Sequence, residues 1–269
     1  MGRLRTRTIP AMAARLWDRA ALVPVRDGSR TPEMRALRPG EPSVEELFTF
    51  MRDAELRFET LRLRIEERTW GARGEQLVML DVAIRHPGNA RVVTSEPGHG
   101  AGGQHELWIS DGDMIRTYAA AHRLGTSRPI RNRPRGLDPR EYPGFAMVYE
   151  PLTPLPMETL AELFVHPAGY CQNVLATGDC WISGSGQIGG REALILECEH
   201  PRTVELSADR PDYRIQVGVD RAEGLVTRLV ESVAGEVTRH AEAVLLETNT
   251  PLPPAIFDFE FPEGTTLLY

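Results

Sequence analysis

The sequence contains no lysine, because all 31 of its basic residues are arginine. The chain therefore has no amine for Schiff-base chemistry and no phosphate-binding P-loop lysine. A GC-rich coding bias accounts for the arginine excess, and anion binding by planar guanidinium groups is the alternative. The formal net charge is -7. This acidic balance argues against a nucleic-acid partner, which requires a basic face.

Cysteine is also scarce, with only Cys171, Cys180 and Cys198 in the chain. Three residues at uneven spacing predict neither a disulfide framework nor a zinc site. Cys171 and Cys180 could pair in an oxidising compartment, whereas buried free thiols are the favoured alternative. We predict no cofactor and no metal.

Long apolar runs are missing as well, so no segment is predicted to span a membrane. Residues 1–42 form an arm rich in arginine and proline. Arg15, Asp18 and Arg19 interrupt the apolar stretch that a secretory signal needs, which predicts a cytoplasmic protein. Residues 8–22 could form a basic helix with peripheral membrane contact, and docking of the arm on its own domain is the favoured alternative.

Residues 43–269 are predicted to form one domain that opens with a helix and a strand. Hydrophobic residues at 41% and charged residues at 26% are ordinary for a globular protein. Ser43 and Glu46 have the spacing of a capping box, and apolar residues follow at helical period. From Phe58 the period changes to two, which predicts a half-buried strand as far as Trp70.

Most of the remaining chain predicts further strands joined by tight turns. Asp111-Gly112 and Ala234-Gly235 have the composition of turns between antiparallel neighbours. A helix is predicted from Pro156 to His166, after a long loop over residues 125–156. The predicted strands are Gln76–Arg85, Arg91–Thr94, His105–Ser110, Met114–Ala120, Asp179–Ser183, Glu192–His200, Tyr213–Asp220, Leu225–Val233 and Glu236–Glu247, with a last alternating segment at Ile256–Phe261.

No sequence motif makes a case for catalysis. Gly184-Ser185-Gly186-Gln187-Ile188-Gly189 has the letters of a dinucleotide fingerprint, but the residues around it alternate as in β-strands. Cys198 and His200 have the spacing of a ligand pair, and no second pair accompanies them. The chain has no HExxH and no GxSxG. We therefore predict that the protein is not an enzyme.

An apolar and aromatic stripe along the strands is the remaining signal. About ten strands and two or three short helices would leave a curved sheet incompletely covered, so its concave face is available to a hydrophobic ligand. An ordinary core packed by the chain's own helices is the alternative. The predicted ligand-lining residues are Leu61, Leu63, Ile65, Met79, Trp108, Ile115, Tyr118, Leu160, Phe164, Trp181, Ile215, Val217 and Phe259.

The order of these segments resembles the LolA, LppX and RseB group of lipoprotein-carrier-like proteins, the LolA-like superfamily. The resemblance extends over about residues 43–266. It is carried by the helix-to-strand entry at Ser43–Trp70, His86-Pro87 before Arg91-Val92, Leu107–Gly112 before Tyr118, Gly189–Ala193, Val219–Val226 and Phe259–Gly264. The resemblance implies an α+β fold in which a curved antiparallel β-sheet forms an open half-barrel wrapped around one or two helices.

The resemblance also implies a function. The group holds a lipid, or the acyl chain of a lipoprotein, in the concave face, and we expect the helix near Leu160–Phe164 and the loop at residues 125–156 to gate it. RseB-like members imply an alternative, a regulatory module that binds an anti-sigma factor or another signalling partner. Such proteins work outside the cytoplasm, in contrast to the cytoplasmic location that the sequence predicts.

Overall fold

In the computed structural model of the protein, twelve strands within the described residues form a single open sheet. The structure describes residues 37, 39–72, 74–97, 105–130, 151–201 and 212–268. The order across the sheet is β12-β6-β5-β4-β3-β2-β1-β11-β10-β9-β8-β7, and neighbours are antiparallel except β12 and β6. The strands are β1 Thr60–Gly71, β2 Gly74–Arg85, β3 Asn89–Ser95, β4 His105–Asp111, β5 Met114–Ala119, β6 Leu124–Pro129, β7 Asp179–Ile188, β8 Arg191–Glu199, β9 Tyr213–Asp220, β10 Val226–Val233, β11 Glu236–Thr248 and β12 Thr266–Leu268.

Three α-helices accompany the sheet in the described part of the chain: α1 Val44–Arg52, α2 Leu160–Val165 and α3 Ala168–Asn173. The predicted capping box of α1 is confirmed, because Ser43 Oγ accepts from the Glu46 amide at 3.2 Å. In return the Ser43 amide donates to Glu46 Oε2 at 2.9 Å. Short 3₁₀ turns lie at Ala54–Arg57, Ala120–His122, Leu175–Thr177 and Pro254–Phe257.

The register of β1 separates an apolar face from a charged face. Leu61, Leu63 and Ile65 stand opposite Ile84, Val82 and Leu80 of β2, and all of these side chains are buried. On the other face Arg64 Nε lies 2.6 Å from Asp81 Oδ1, and the side chains of this ion pair are solvent-exposed. The predicted alternation of β1 is therefore confirmed, because one side of each strand meets the core and the other meets water.

The sheet curves around the helices. One buried core joins the helical residues Leu47 and Phe164 to Val92 of β3 and to Leu196 of β8. Those two strands are separated by β2, β1, β11, β10 and β9. Helices are about 10 Å wide and strands are about 4.8 Å apart, so a flat sheet could not bring all seven strands to the same few helices. The predicted α+β half-barrel, a curved antiparallel sheet around one or two helices, is confirmed.

One end of the concave face is closed by α1. The Arg57 guanidinium lies 3.8 Å from the centre of the Phe50 ring. It also donates to the Phe50 carbonyl at 2.7 Å and to the Glu223 carbonyl at 3.2 Å. Gly224 has φ +76°, and a Cβ there would lie 2.9 Å from Phe50. Glycine at this turn thus lets β9 and β10 approach the end of α1.

Residues 249–265, the C-terminal strap, cross the opposite face of the sheet over β3 to β6. Phe257 is buried beneath Arg85, whose guanidinium carbon lies 5.0 Å from the ring centre. Arg91 Nη1 donates to the Ile256 carbonyl at 3.2 Å. The alternating aromatic residues of Ile256–Phe261 therefore pack as a strap, and the extended segment predicted there is not a strand of the sheet. Pro253 and Pro254 lack the N–H groups that strand pairing needs.

Other boundaries also differ from the predictions. β6 overlaps the start of the predicted loop, and α3 and β12 had no periodic signal because they span only six and three residues. β7 continues to Ile188 through the glycine-rich motif, with an irregularity between Ile182 and Gly184. The strand at this motif fits the prediction that it is not a dinucleotide site.

Part of the predicted arm is described. Leu37 packs against the core, and Arg221 Nη2 donates to the Gly40 carbonyl at 2.6 Å. The domain boundary at residue 42 stays a prediction. Residues 1–36 and 38 of the arm, and residues 131–150 of the loop that we expected to gate the site, lie outside the described residues.

Candidate functional site

The register places the predicted lining residues on two faces of the sheet. The concave face carries Leu61, Leu63, Ile65, Trp108, Ile115, Ile215 and Val217, with Leu160 and Phe164 of α2 packed in the same core. The opposite face carries Met79, Tyr118 and Trp181. Their partners in the neighbouring strands are Glu66, Leu107 and Glu197, respectively. Phe259 belongs to the strap, with its ring 6.0 Å from that of Tyr118.

These four residues therefore cannot line the concave face, which corrects our expectation of a single stripe. Successive side chains of a strand point to opposite faces, so a change of one position moves a residue to the other side. Met79 and Trp181 each follow an apolar residue in the chain. Where consecutive residues are all apolar, their character does not reveal which alternate side chains face inward.

The concave face is filled by the chain's own helices. Leu61, Ile65, Phe164, Ile215 and Val217 are all fully buried. A cleft of about 550 Å³ lies elsewhere, beside β7 and the β9–β10 turn. Its walls include Glu41, Glu192 and Arg221, so it does not offer a dry surface to an acyl chain. A ligand on the concave face would have to take the place of a helix.

The helices over the middle of the concave face are short. α2 and α3 have six residues each. Helices of this length are not stable in water without tertiary contacts. α2 is capped by Thr159, whose side chain accepts from the Glu162 amide at 3.4 Å, and its buried residues are Leu160, Ala161, Phe164 and Val165. Packing of these side chains holds α2 against the sheet.

A buried polar contact anchors the segment that leads into α2. Glu55 Oε2 accepts from the Leu152 amide at 2.6 Å, and the other carboxylate oxygen lies 3.9 Å from His166 Nδ1. Thr153 Oγ1 accepts from the Gly88 amide at 2.8 Å. The chain is therefore fixed on both sides of α2, at Leu152 and at His166, while α2 itself is held by apolar contacts.

The far end of the concave face carries charge. We call Glu67, Tyr170, Tyr213, Glu231 and Arg239 the Arg239 cluster. Arg239 Nε donates to Glu67 Oε1 at 2.7 Å, and Nη1 lies 3.4 Å from Glu231 Oε1. Glu231 pairs with Arg239 on one side and with the inward Ile215 on the other, so both charges share the apolar face.

Two tyrosine hydroxyls complete the cluster. Burial, reinforced by the negative charge of Glu231, raises the pKa of Tyr170 on α3 and of Tyr213 on β9. Both therefore stay protonated as hydrogen-bond donors at neutral pH. Among the described residues, the buried Tyr170 hydroxyl has no hydrogen-bond partner. Leaving such a group unpaired costs about 1–3 kcal/mol, which a ligand acceptor would recover.

The charge of the cluster limits what it can hold. Burial disfavours the Arg239 cation, but the two carboxylates outweigh burial and raise the pKa of Arg239. Two carboxylates and one guanidinium leave a net negative charge beside Tyr170. An uncharged polar group that can accept a hydrogen bond suits this end of the face, and a further anion would be repelled.

Our sequence predictions missed the Arg239 cluster, although a signal exists. In β1 the side chains of Leu61, Leu63 and Ile65 face inward, and Glu67 is the next inward-facing position, where an apolar residue is expected. A charged residue at an inward position needs a partner. The partner, Arg239, is 172 residues away along the chain, so spacing could not reveal it.

No group of three or more histidine, cysteine, aspartate or glutamate residues within the described ranges is arranged to hold a metal ion. Over the same ranges, no helix is long and apolar enough to cross a membrane.

The fold is similar to several solved structures. An uncharacterized conserved protein from Thermus thermophilus is 10% identical with a TM-score of 0.47, and the match covers 83% of this chain and 98% of that one. The MucA/MucB complex of Pseudomonas aeruginosa is 13% identical with a TM-score of 0.44, and the match covers 80% of this chain and 60% of that one. Lipoprotein LppX of Mycobacterium tuberculosis is 12% identical with a TM-score of 0.38, and the match covers 78% of this chain and 99% of that one.

The likeness is one of fold. LppX and a LolA superfamily protein of Nitrosomonas europaea are among the similar structures. No protein-family model and no curated protein sequence matches this chain.

Proposed function

We propose that the protein binds a hydrophobic ligand without transforming it, as a carrier or sensor, and that the ligand's acyl chain occupies the concave face when α2 moves away. The observation that carries this proposal is the continuous apolar face from β3 to β8. It is covered by α1 and by the two six-residue helices α2 and α3, and it ends in the Arg239 cluster. An extracytoplasmic location belongs to the same proposal, and the fold offers no support for the cytoplasmic prediction.

The free energies of burial set a minimum ligand length. Exposing Leu160, Phe164 and Val165 costs about 5–9 kcal/mol, at roughly 1.5–3 kcal/mol for each side chain. Each buried methylene of an acyl chain returns about 0.8 kcal/mol. Roughly six to eleven buried methylenes are therefore needed to replace α2, and shorter chains leave α2 in place.

A series of monoacylglycerols with increasing chain length tests this threshold. We expect native mass spectrometry to show one bound molecule for chains of about twelve or more carbons, which exceed this threshold, and none for a butanoyl chain, which lies below it. Binding that is equal for all lengths, or that occurs for none, would overturn the proposal.

A Leu160→Ala variant distinguishes a displaceable α2 from an ordinary core helix. Loss of the buried side chain lowers the stability of the ligand-free protein by about 2–5 kcal/mol. If α2 and ligand compete for the concave face, the same change strengthens ligand binding, tenfold for each 1.4 kcal/mol by which α2 is loosened.

Leu47→Ala in α1 is the matched control, because Leu47 is equally buried but lies outside α2. We expect it to reduce stability without strengthening binding. If the two variants change affinity alike, α2 is not the element that the ligand displaces.

Tyr170→Phe tests the head-group end. Removing the unpaired buried hydroxyl removes that cost, so the free protein should be more stable by about 1–3 kcal/mol. The ligand can then no longer recover the cost, so monoolein should bind about 5- to 150-fold more weakly, at tenfold for each 1.4 kcal/mol. Unchanged affinity would place the head group elsewhere while leaving the acyl-chain site intact.

Binding of a regulatory protein partner is a second candidate, favoured by the free edge of β7. Within the described residues this ten-residue strand has a neighbour on one side only, and Trp181 is 42% exposed on it. An extended peptide could add to such an edge as a further strand. Recovery of one stoichiometric protein, lost in a Trp181→Ala variant, together with no lipid in an organic extract, would favour this candidate.

A further inference from the structure

Two of the three cysteines face each other across the edge of the sheet. Cys180 of β7 and Cys198 of β8 are direct partners in the antiparallel register. The sequence left open a pairing of Cys171 with Cys180, whereas the fold places Cys171 on α3, with its thiol 3.9 Å from Met51 Sδ.

The backbone hydrogen bonds show which kind of pair this is. The His200 amide donates to the Tyr213 carbonyl at 3.2 Å, which makes these two residues a hydrogen-bonded pair. Such pairs recur at every second residue, so Cys198 exchanges its backbone bonds with Ile215 of β9. Towards β7, Cys198 and Cys180 are then a non-hydrogen-bonded pair. In such pairs the Cα atoms are typically about 4.5 Å apart, inside the range of about 4.4–6.8 Å that disulfides need.

The thiols also point to the same place. Cys180 Sγ lies 3.1 Å from the Leu175 carbonyl oxygen, and Cys198 Sγ lies 3.5 Å from the same atom. That oxygen accepts from the Gly178 amide at 3.1 Å as well. It therefore keeps a backbone partner if both S–H groups are lost.

We propose that Cys180 and Cys198 are a modification site that closes to a cross-strand disulfide on reaction with a disulfide oxidant such as glutathione disulfide. In the first step the Cys180 thiolate attacks one sulfur of glutathione disulfide, and one glutathione leaves as its thiolate. In the second step the Cys198 thiolate attacks Cys180 Sγ and releases the second glutathione. Two protein protons and two electrons are lost, and glutathione disulfide is reduced to two glutathione molecules.

The surroundings of the cysteines fit this order of attack. Cys180 is half-buried on the edge strand, whereas Cys198 is 1% exposed. A Cβ at Gly178 would lie 2.8 Å from Cys198 Sγ, so backbone covers that thiol closely. The hydrogen bond from Cys198 lowers the pKa of Cys180. Burial raises the pKa of Cys171 to about 12, which leaves it unreactive.

The bond would tie the edge strand to the sheet. β7 has hydrogen-bonding neighbours only in β8, so nothing on its other side restrains fraying in the described part of the chain. A link between Cys180 and Cys198 closes a short loop and raises the stability of the folded state.

The test uses the full chain, reduced and then equilibrated with mixtures of reduced and oxidised glutathione. After an acid quench and alkylation, peptide mapping without reduction should show Cys180 joined to Cys198, with the mass lower by two hydrogen atoms. We expect Cys171 to be alkylated only after denaturation. The midpoint of thermal unfolding should rise by about 5–10 °C on oxidation.

Cys171→Ser is the matched control and should keep both the bond and the shift in midpoint. Cys180→Ser should abolish both, and Cys198→Ala does the same without placing a hydroxyl in the core. Three free thiols in the folded protein at high glutathione disulfide would overturn the proposal. So would a Cys171–Cys180 link, or a stable glutathione adduct on Cys180.

Discussion

Different segments cover the two halves of the sheet, and on different faces. In the helix-covered half, β1, β2 and β8 to β11, the concave residues are buried beneath α1, α2 and α3. In the strap-covered half, β4 to β6, Leu107, Ile109 and Tyr118 are buried on the other face, beneath the C-terminal strap. On the concave face of this half Ser110 and Ile115 are buried, whereas Trp108 is only partly buried.

The difference shows that a strand's alternation does not decide which of its faces is covered. Successive side chains alternate between the two faces in both β1 and β4. The apolar residues of β1 face the helices, whereas Leu107 and Ile109 of β4 face a strap from the far end of the chain. Each half depends on a different segment for its cover, so the halves can be perturbed separately.

The largest effect is expected for Phe164→Ala in the helix-covered half. Phe164 is fully buried, and its loss should cost about 3–5 kcal/mol of the free energy of unfolding, from lost transfer energy and a cavity. Chemical denaturation measures the total. Hydrogen exchange should become faster in β8 to β10 and stay nearly unchanged in β4 to β6, and equal acceleration in both would show that the halves do not open separately.

Phe257→Ala should produce the reverse pattern in the strap-covered half. We expect a loss of about 3 kcal/mol, near the lower end for Phe→Ala, because Arg85 covers one face of the ring. Exchange should then accelerate in β4 to β6. Phe259→Ala is the control, and since that ring is only partly buried a loss of about 1 kcal/mol is expected.

Arg239→Leu should have an intermediate effect at the end of the helix-covered half. It leaves Glu67 and Glu231 without their cation, at a cost of about 1–3 kcal/mol. Chemical denaturation of the variant and the wild type measures this loss. An unchanged free energy of unfolding would show that the two carboxylates find other partners or water.

The smallest effect is expected for Glu162→Gln on α2. Burial, opposed by a hydrogen bond from the Glu158 amide, raises the pKa of Glu162 above its unfolded value. The protonated carboxyl therefore stabilises α2 below the unfolded pKa, and this contribution disappears as the pH rises through the folded pKa. The variant should flatten the pH dependence of the thermal midpoint between acid and neutral pH. Glu45→Gln, in the exposed first turn of α1, should leave that dependence in place.

Several parts of the fold could be predicted because their signals are local. The capping box at Ser43 and the alternation of Leu61, Leu63 and Ile65 each involve neighbouring residues, and both are confirmed. β6 and α3 were missed because Leu124–Pro129 and Ala168–Asn173 are too short to show a period. Phe257, Phe259 and Phe261 alternate like a strand, but the prolines around them exclude strand pairing.

Local patterns are enough to predict the strand-rich composition of the domain, the start of α1 and which alternate residues of most strands are apolar, because these depend on residues a few positions apart. The fold is needed to show which segment covers each half of the sheet, that Glu67 contacts Arg239, and that Cys180 pairs with Cys198 rather than Cys171. These contacts depend on the register of strands and on segments distant in the chain, and the spacing of residues in a sequence does not encode them.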